Sequence, residues 1–438
     1  MPNKSILVFI AWVLLITSSC SDISESEVMR PTQPPQSSDT ASDVSESEVM
    51  RPTQPPQSSD TAVDRPEVDL SKLAECPAGD ALLTYFPLNE GDHDGITPLG
   101  NLMPPAHVFP TDHMYVSVAG STYDEIGDII PGNSRPLLAP ADMLVLQIHT
   151  FETILSAGGG WTEYDFTFGI CREVGGKFGH VGGLAPKLLE AISTPSADCY
   201  EYSTGSLTDR RYKVCNYNNL TIDVVAGEVI GSVGERNGNL DVWFRDYRKP
   251  ALEYAEPSRW SMEAKHTRCF LDYYPEEMKS RYYDMLGDLR YGVMRTVEPK
   301  CGEIAVDLRG TAKGNWVFQL QGRIQHEDPH LALVNDAIRA EMQMVSMGVS
   351  AMQIGIMPGR YVFNPETSGF VNRDFGQVTP DGNVYCYDGD TAMNQGGGQP
   401  EKTLILLQMP DADTLRVGKG VGSCSDPQVL GEYIEFTR

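Results

Sequence analysis

Five side chains between residues 107 and 241 are of the types that bind metals or transfer protons. His107, Asp112 and His113 are close together in the sequence, and His180 and Asp241 follow at longer intervals. Two histidines with one or two carboxylates can form an open metal site, and a further histidine can act as a general base near neutral pH. The same side chains can instead form a hydrogen-bonded polar cluster that holds no metal. Both interpretations require the five residues to meet in space.

The segments around these residues have the pattern of short strands. Residues 143–148 (MLVLQI), 164–170 (YDFTFGI) and 224–233 (VVAGEVIGSV) are apolar or alternating runs separated by Gly and Pro. Alternation of polar and apolar residues is typical of a strand with one buried face. Residues 185–192 (APKLLEAI) predict a short helix with proline in its first turn. Residues 67–257 are therefore predicted to form one β-rich domain.

The order of these segments resembles that of the lysostaphin/LytM-type zinc endopeptidases, which cut peptide cross-links in bacterial cell wall. The matching segments are residues 96–116 (ITPLGNLMPPAHVFPTDHMYV), 136–145 (PLLAPADMLV), 164–184 and 227–245 (GEVIGSVGERNGNLDVWFR). The resemblance implies a β-sandwich domain of the duplicated-hybrid type with a groove. It also implies a zinc ion held by a His, an Asp and the second His of a late His-x-His, with another His assisting catalysis.

Two departures from that family affect the expected zinc site. Asp241-Val242-Trp243 stands where the family has His-x-His, and an indole offers only an N–H donor, so it cannot ligate a metal. His107 and Asp112 are also separated by one residue more than in the family's His-x-x-x-Asp. The family's own ligand set is therefore incomplete in this chain.

The departures lead to two hypotheses of different classes. In the first, the groove binds a peptide, a glycan or a protein partner of the cell envelope without hydrolysing it. In the second, the domain is a metal-dependent hydrolase that acts on cell-wall peptide with zinc as its cofactor. The second hypothesis assigns His107, Asp112 and Asp241 to the metal and His180 or His113 to general-base catalysis. A metal-free fold without a groove is a third option, which a large distance between His107 and His180 would reveal.

Residues 266–438 predict a second domain that consists mainly of strands. Residues 275–289 (PEEMKSRYYDMLGDL) have apolar side chains at helical spacing and predict one leading helix. The later runs, such as residues 403–409 (TLILLQM) and 433–437 (YIEFT), predict strands without intervening helices. This pattern is typical of an antiparallel sandwich or a small barrel. The fold class expected for the whole chain is mainly β.

Two segments of this second part carry further metal-ligand types. In residues 326–330 (HEDPH) the proline is incompatible with a helical zinc motif, and the segment is interpreted as a solvated turn. Residues 342–357 contain five methionines, which can present thioethers to Cu(I). Methionine also fills irregular gaps in apolar cores, and a Met-rich core or interface segment is the preferred interpretation.

The N-terminus has the features of an export signal. Residues 6–16 (ILVFIAWVLLI) form an apolar run that is too short to span a bilayer, which takes about 20 residues, but is typical of a signal-peptide core. Small residues then precede Cys20, as in a bacterial lipobox. Residues 1–20 therefore predict a signal peptide that is cleaved before a lipid-modified Cys20. Simple secretion without lipidation is the alternative.

A tandem repeat follows Cys20. Residues 21–41 (SDISESEVMRPTQPPQSSDTA) recur as residues 42–62, with Val44 in place of Ile23 as the one difference. Two copies without an apolar face do not make a solenoid. Ser, Pro, Gln and acidic residues dominate, so residues 21–66 predict a disordered tether between the lipid and the folded body.

The remaining eight cysteines are an even number in a chain predicted to be exported, which favours disulfide bonds. No Cys-x-x-Cys occurs, which disfavours a zinc ribbon. Buried free thiols are the alternative. Sequence proximity favours the pairs Cys199–Cys215, Cys269–Cys301 and Cys386–Cys424, which leaves Cys76–Cys171.

The charge of the chain excludes one class of partner. The sequence has 60 acidic and 34 basic side chains, which give a formal net charge of -26. Binding to nucleic acid requires clustered Lys and Arg, so no nucleic acid partner is expected. The expected location is outside the cytoplasm, either anchored through Cys20 on the outer or periplasmic face of a membrane or secreted.

Overall fold

The computed structural model describes residues 70–123, 129–130, 133–196, 198–203, 210–288, 292–320, 322–324, 326–392 and 402–438. All of these residues belong to one compact unit, Asp64–Arg438. The predicted signal peptide, the predicted lipidation at Cys20 and the predicted tether of residues 21–66 lie outside the described residues.

The first part of the described chain is built from strands and one short helix. The helix α1 spans Pro186–Ala191, and its first residue is the proline that the sequence placed in the first turn. The strands are β1 (His93–Thr97), β2 (Met114–Val118), β3 (Thr122–Tyr123), β4 (Ile129–Ile130), β5 (Arg135–Leu138), β6 (Met143–Leu155), β7 (Gly160–Cys171), β8 (Val174–Val181), β9 (Gly183–Leu184), β10 (Cys199–Tyr202), β11 (Arg210–Tyr217), β12 (Ile222–Val224), β13 (Val229–Val233) and β14 (Asn239–Asp246).

The second part contains two further α-helices and shorter strands. The helices are α2 (Met262–Lys265) and α3 (Glu276–Tyr283). The strands are β15 (Gly287–Asp288), β16 (Val293–Met294), β17 (Gly314–Trp316), β18 (Leu331–Asn335), β19 (Gln343–Met347), β20 (Gly359–Phe363), β21 (Tyr385–Tyr387), β22 (Asp390–Ala392), β23 (Ile405–Gln408), β24 (Thr414–Lys419) and β25 (Tyr433–Thr437). The mainly β fold class is confirmed.

A nine-stranded antiparallel sheet dominates the first part. Its order is β1-β2-β14-β8-β7-β6-β11-β10, and β12 also pairs with β6. A three-stranded sheet, β5-β13-β9, packs against one face of it. Apolar side chains of both sheets, such as Ile148, Phe166 and Phe178 from the large sheet and Leu137 and Ile230 from the small one, form a single buried cluster. Because apolar and polar side chains alternate along the strands, the face of the large sheet toward the small sheet is buried and the opposite face is polar.

Two antiparallel sheets enclose the second core. One has the order β17-β18-β19-β20-β22 and the other β21-β23-β24-β25. Trp316 is fully buried between them, and its indole N–H donates to the carbonyl of Ala312 at 2.8 Å. Met347 lies in the same core and Met344 in a neighbouring cluster, whereas Met352 and Met357 are exposed. Both sheets are open among the described strands. Of the two folds expected for the C-terminal part, a sandwich and a small barrel, the structure therefore has the sandwich.

The helix that opens the second part is shorter than its periodicity predicts. It ends at Tyr283, because the next residues pair with the first strand instead of continuing the helix. The amide of Ile96 donates to the carbonyl of Met285 at 3.1 Å, and Leu286 bridges Ile96 in the first core. Residues from Cys269 to Ile304 contribute to that same first core. Tertiary pairing therefore overrides local helical preference here.

Four disulfide bonds link the eight cysteines, in the pairing that sequence proximity favoured. The observed pairs are Cys76–Cys171, Cys199–Cys215, Cys269–Cys301 and Cys386–Cys424. Such a set fits an exported protein, because disulfides form and persist in oxidising compartments.

No helix in the described part of the chain combines the length and the apolar character needed to cross a bilayer.

Candidate functional site

Three adjacent strands of the large sheet bring the predicted site residues together. His113 immediately precedes β2, His180 lies near the end of β8, and Asp241 lies in β14 between these two strands. Asp241 faces Tyr115 of β2 in one ladder and Gly179 of β8 in the other. The two histidines are therefore held on either side of one carboxylate.

The side chains are in direct contact. The Oδ2 atom of Asp241 is 3.5 Å from Nε2 of His113 and 3.6 Å from Nε2 of His180. The Nδ1 atom of His113 is 3.3 Å from Oδ1 of Asp112. The rings of His107 and His113 are 5.4 Å apart. All five residues thus meet in one cluster, hereafter the His–Asp cluster.

His180 is held on three sides by carboxylates. Its Nδ1 atom is 3.1 Å from Oε1 of Glu163, and its backbone N–H donates to Oδ1 of Asp165 at 3.3 Å. Burial alone lowers the pKa of His180, but the negative charges of Asp241 and Glu163 outweigh it and raise the pKa to about 9. A pKa of about 9 favours the protonated imidazolium of His180 at neutral pH.

The backbone of His180 supports a special role for this position. Its φ angle is 60°, in the left-handed region that non-glycine residues rarely adopt. Such strain costs of order 1–3 kcal/mol and persists where the surrounding structure enforces it, most often at functional sites. Here the bond from the backbone N–H to Asp165 and the pairing of β8 hold the residue in place.

The other members of the cluster differ in charge state. Burial, followed by the neighbouring His113, lowers the pKa of His107 to about 4, so His107 is neutral at neutral pH. Burial raises the pKa of Asp112, but contacts with His113, Arg245 and Trp243 outweigh burial and hold it below its usual range. Burial raises the pKa of Asp241, and this effect exceeds the opposing charges of His180 and His113.

The indole of Trp243 packs beside the His–Asp cluster. Its indole N–H donates to Oδ1 of Asp112 at 2.8 Å, and its ring centroid is 4.1 Å from that of His113. The ammonium of Lys177 lies 3.8 Å from the ring centroid and 2.9 Å from Oδ2 of Asp165. A Cβ atom on Gly179 would approach the Trp243 ring to 2.9 Å, so glycine allows the indole to lie against β8.

Several residues of the site were missed by the sequence analysis. Glu163, Asp165 and Lys177 carry charges next to His180, and none stood out by local spacing. The sequence pattern of β7 could have identified two of them, because Glu163 and Asp165 alternate with buried apolar residues such as Phe166 and Phe168. Alternation shows that the two carboxylates share one face, but not which neighbours they meet.

In the described part of the chain, the donor atoms of the cluster do not form a group of three within 4.8 Å of one another. Among the described residues, the only three ligand-type side chains whose donor atoms lie within 4.8 Å of one another are Cys76, Cys171 and Glu173, and both cysteines are in a disulfide. Oδ1 of Asp112 already contacts Trp243 and His113. The residues assigned to a metal by the second hypothesis, His107, Asp112 and Asp241, are close but not convergent. In this arrangement the imidazoles and carboxylates contact one another and the indole of Trp243.

Two buried polar atoms of the cluster have no hydrogen-bond partner among the residues that the structure describes. They are Nε2 of His113 and Oδ1 of Asp241. The contact of 3.5 Å between His113 and Asp241 is too long for a strong hydrogen bond. A buried polar group without a hydrogen bond costs folding free energy. In native proteins such groups are few, and a functional role is one explanation for them.

The HEDPH turn lies against the cluster rather than in solvent. Oε2 of Glu327 accepts from the backbone N–H of Phe109 at 3.1 Å, and His330 is buried and stacks on the ring of Phe109. The interpretation of this segment as a solvated turn is wrong for His330, which is buried; Glu327 is half-buried, and His326 and Asp328 are exposed. Burial raises the pKa of Glu327 to about 8, with a further contribution from the charge of Asp112.

The polar face continues from the cluster along β7. The indole N–H of Trp161 donates to Oε2 of Glu163 at 3.3 Å, and the guanidinium of Arg236 lies 5.4 Å from the Trp161 ring. At the far edge of the sheet, Tyr202 stacks with Tyr212 at 5.1 Å. Aromatic rings, carboxylates and cations thus share the outer face of the large sheet.

Comparison with protein-family models, with curated proteins and with solved structures found no match. The mainly β architecture and the geometry of the cluster are therefore the basis for any functional assignment.

Proposed function

We propose that this protein is an exported component of a bacterial cell envelope whose first sandwich binds a peptide, a glycan or a protein partner on the outer face of its large sheet. The observation that carries the proposal is the side chain of His180, which is 42% exposed and lies 3.1 Å from Oε1 of Glu163 and 3.6 Å from Oδ2 of Asp241. A fixed, partly exposed histidine is suited to recognising a polar ligand, and the ammonium of Lys177 over the Trp243 ring adds a cation to the same face.

The neighbouring side chains add complementary recognition groups. Lys177 and His180 offer charged N–H donors, and Glu163 and Asp165 offer acceptors. Peptides and glycans present both kinds of group. The ring of Trp161 supplies a planar surface for apolar parts of such a ligand. The LytM-type resemblance supports the same proposal, because the segments that form the groove of those enzymes follow one another in the same order as the matching segments of this chain.

The binding proposal is tested by co-sedimentation of the purified protein with isolated peptidoglycan sacculi. The variants Lys177→Gln and Trp161→Ala should each reduce the bound fraction several-fold while the fold is retained. Lys419→Gln, which removes a surface ammonium from β24, is the matched control and should bind as the wild type does. Equal binding by all four proteins, or no binding by the wild type, would count against the proposed surface.

The alternative function is a metal-dependent hydrolase of cell-wall peptide with a rearranged ligand set. The unpartnered Nε2 of His113 and Oδ1 of Asp241 are the observation that favours it. The donor atoms do not converge as they stand, so this function requires the cluster to regroup. Elemental analysis of the purified protein decides between the two functions. Stoichiometric zinc that is lost in His107→Ala would support the hydrolase, and protein without bound metal would exclude it.

The anchoring at Cys20 is proposed on the sequence alone. A diacylglyceryl group on that cysteine, followed by residues 21–66 as a tether, would hold the folded body away from the membrane surface. Mass spectrometry of the mature N-terminus is the test. The lipid mass should be present in the wild type and absent in Cys20→Ala, and an unmodified N-terminus beyond Cys20 would show secretion instead.

A further inference from the structure

A cleft outside the His–Asp cluster lies where the two parts of the folded body meet. It has about 220 Å³ of space, and its walls come from the Leu99–Gly100 turn, from Pro110, from the segment after β16 and from the turn after β18. This is smaller than the roughly 300–1,000 Å³ of pockets for drug-sized ligands, so it suits a small polar molecule.

Arg295 forms the inner wall of the cleft. It is only 6% exposed, and its Nε and Nη1 atoms donate to the carbonyls of Pro299 and Ala337 at 2.9 and 2.7 Å. No carboxylate within the described ranges lies at ion-pair distance from it, and its Nη2 atom makes no hydrogen bond to a described residue. A buried guanidinium without a close ion-pair partner is costly, because burial removes its hydration. Burial lowers the pKa of Arg295 and outweighs the opposing charges of the more distant carboxylates Glu303, Asp336, Glu298 and Glu341.

The rim of the cleft carries charges of both signs. Lys313 lines the cleft and makes no ion pair to a residue that the structure describes. Two of the lining carboxylates are already engaged, since Asp336 accepts from the backbone N–H groups of Ile338 and Arg339 and Glu298 accepts from that of Lys300. The side chain of Glu303 is exposed and makes no hydrogen bond or ion pair in the described part of the chain.

We propose that this cleft binds a small zwitterion of the amino acid type, with its carboxylate on Arg295 and Lys313 and its ammonium on Glu303. A ligand carboxylate would supply a partner at ion-pair distance, closer than the carboxylates that line the cleft, and the planar fork of arginine is matched to it. The free carboxylate at the rim is complementary to an ammonium. The size of the cleft restricts the ligand to about one residue or a small dipeptide.

The cleft shares a wall with the loop that carries the His–Asp cluster. The amide of Gly100 donates to the carbonyl of Thr111, and the amide of Thr111 donates to the carbonyl of Asn101, both at 3.0 Å. Asp112 follows directly in this loop. The cleft is nevertheless a separate site, because none of its lining residues belongs to the His–Asp cluster. Its test does not depend on the outcome for the envelope-binding proposal.

The test is calorimetric titration of the full chain with glycine, L-alanine and D-alanine, and with acetate and methylamine as probes that carry one charge each. We expect saturable binding of at least one amino acid and weaker binding of both single-charge probes. Absence of saturable binding of all three amino acids up to about 10 mM, which corresponds to less than about 3 kcal/mol of binding free energy, would overturn the proposal.

Variants at the rim assign the charges and leave the hydrogen bonds from Arg295 to Pro299 and Ala337 in place. Lys313→Met should weaken amino acid binding at least tenfold and abolish that of acetate. Glu303→Gln should weaken amino acid binding at least tenfold and leave acetate unchanged. Lys419→Gln is the control for a remote surface charge. Retention of wild-type affinity in both rim variants would overturn the proposed mode of binding, and near-ultraviolet circular dichroism verifies that each variant is folded.

Discussion

Replacing Asp241 by asparagine should lower the pKa of His180. The carboxylate Oδ2 of Asp241 is 3.6 Å from Nε2 of His180, and the negative charge of Asp241 is the largest of the effects that raise the histidine's pKa to about 9. Asparagine has nearly the same shape and keeps an acceptor oxygen, so the substitution removes charge rather than volume. His180 then retains Glu163 as its nearest carboxylate.

The magnitude follows from the distance and the exposure of the ring. Two unit charges about 4 Å apart attract by about 4 kcal/mol at an effective dielectric constant near 20. The His180 side chain is 42% exposed, so solvent screens the pair toward the ~1 kcal/mol of surface ion pairs. One pKa unit corresponds to 1.36 kcal/mol, so the pKa of His180 should fall by roughly 1–2 units.

The assay is an NMR titration that follows the imidazole Cε1–Hε1 signal of His180 from pH 5 to 10. Glu163→Gln should lower the same pKa, because it removes the second carboxylate. Glu435→Gln, which removes a surface carboxylate from β25, is the control and should leave it unchanged. A His180 pKa near 6.5 in the wild type, or one that does not respond to Asp241→Asn, would refute the electrostatic description of the cluster.

Further predictions concern pH, metal binding and packing. The pKa of His180 is raised in the folded state, so protonation of His180 stabilises the fold. This contribution to the free energy of unfolding should be complete below pH 6.5 and lost as pH rises through about 9. Urea unfolding of the wild type and of Glu163→Gln across that pH range measures the loss. The pKa of Glu327 is also raised, to about 8, so its ionised form destabilises the fold. Glu327→Gln should therefore increase the free energy of unfolding by at least ~1 kcal/mol above pH 8 and have little effect at pH 4. Equal effects at both pH values would contradict the desolvation of the Glu327 carboxylate. If the LytM-type resemblance is correct, Trp243→His should create a zinc site with the neighbouring histidines, detected as stoichiometric metal by elemental analysis, whereas Trp243→Phe should bind none. Trp316→Ala should cost about 3–5 kcal/mol, because the indole is fully buried in the second core, and a loss below about 1 kcal/mol would contradict that packing.

Much of the fold was predictable from local pattern. The apolar run at residues 143–148 lies in β6, the alternating run at residues 164–170 lies in β7, and residues 433–437 coincide with β25. Period-two alternation reports a half-buried strand regardless of its partners. The helix over residues 275–289 was predicted too long, because the pairing of Met285 and Leu286 with β1 is a long-range contact that leaves no local signal.

The site was predictable in part for the same reason. The five residues chosen by type do meet, because strand order places β2, β14 and β8 side by side. Their charge states were not predictable. The assignment of His180 as a general base was made without its neighbour Glu163, which is 17 positions away in the sequence but 3.1 Å away in space. The contact of the half-buried Glu327 with the loop around Phe109 was not predicted, because the turn is hydrophilic in composition.

The most direct test of the proposed binding face is an NMR titration of ¹⁵N-labelled protein with soluble peptidoglycan fragments. The indole N–H groups of Trp161 and Trp243 lie on the outer face of the large sheet, and that of Trp316 is buried in the second core. The account predicts saturable shifts of the Trp161 and Trp243 indole signals and none for Trp316. Shifts that spare both outer-face tryptophans, or no shifts at saturating fragment, would contradict it.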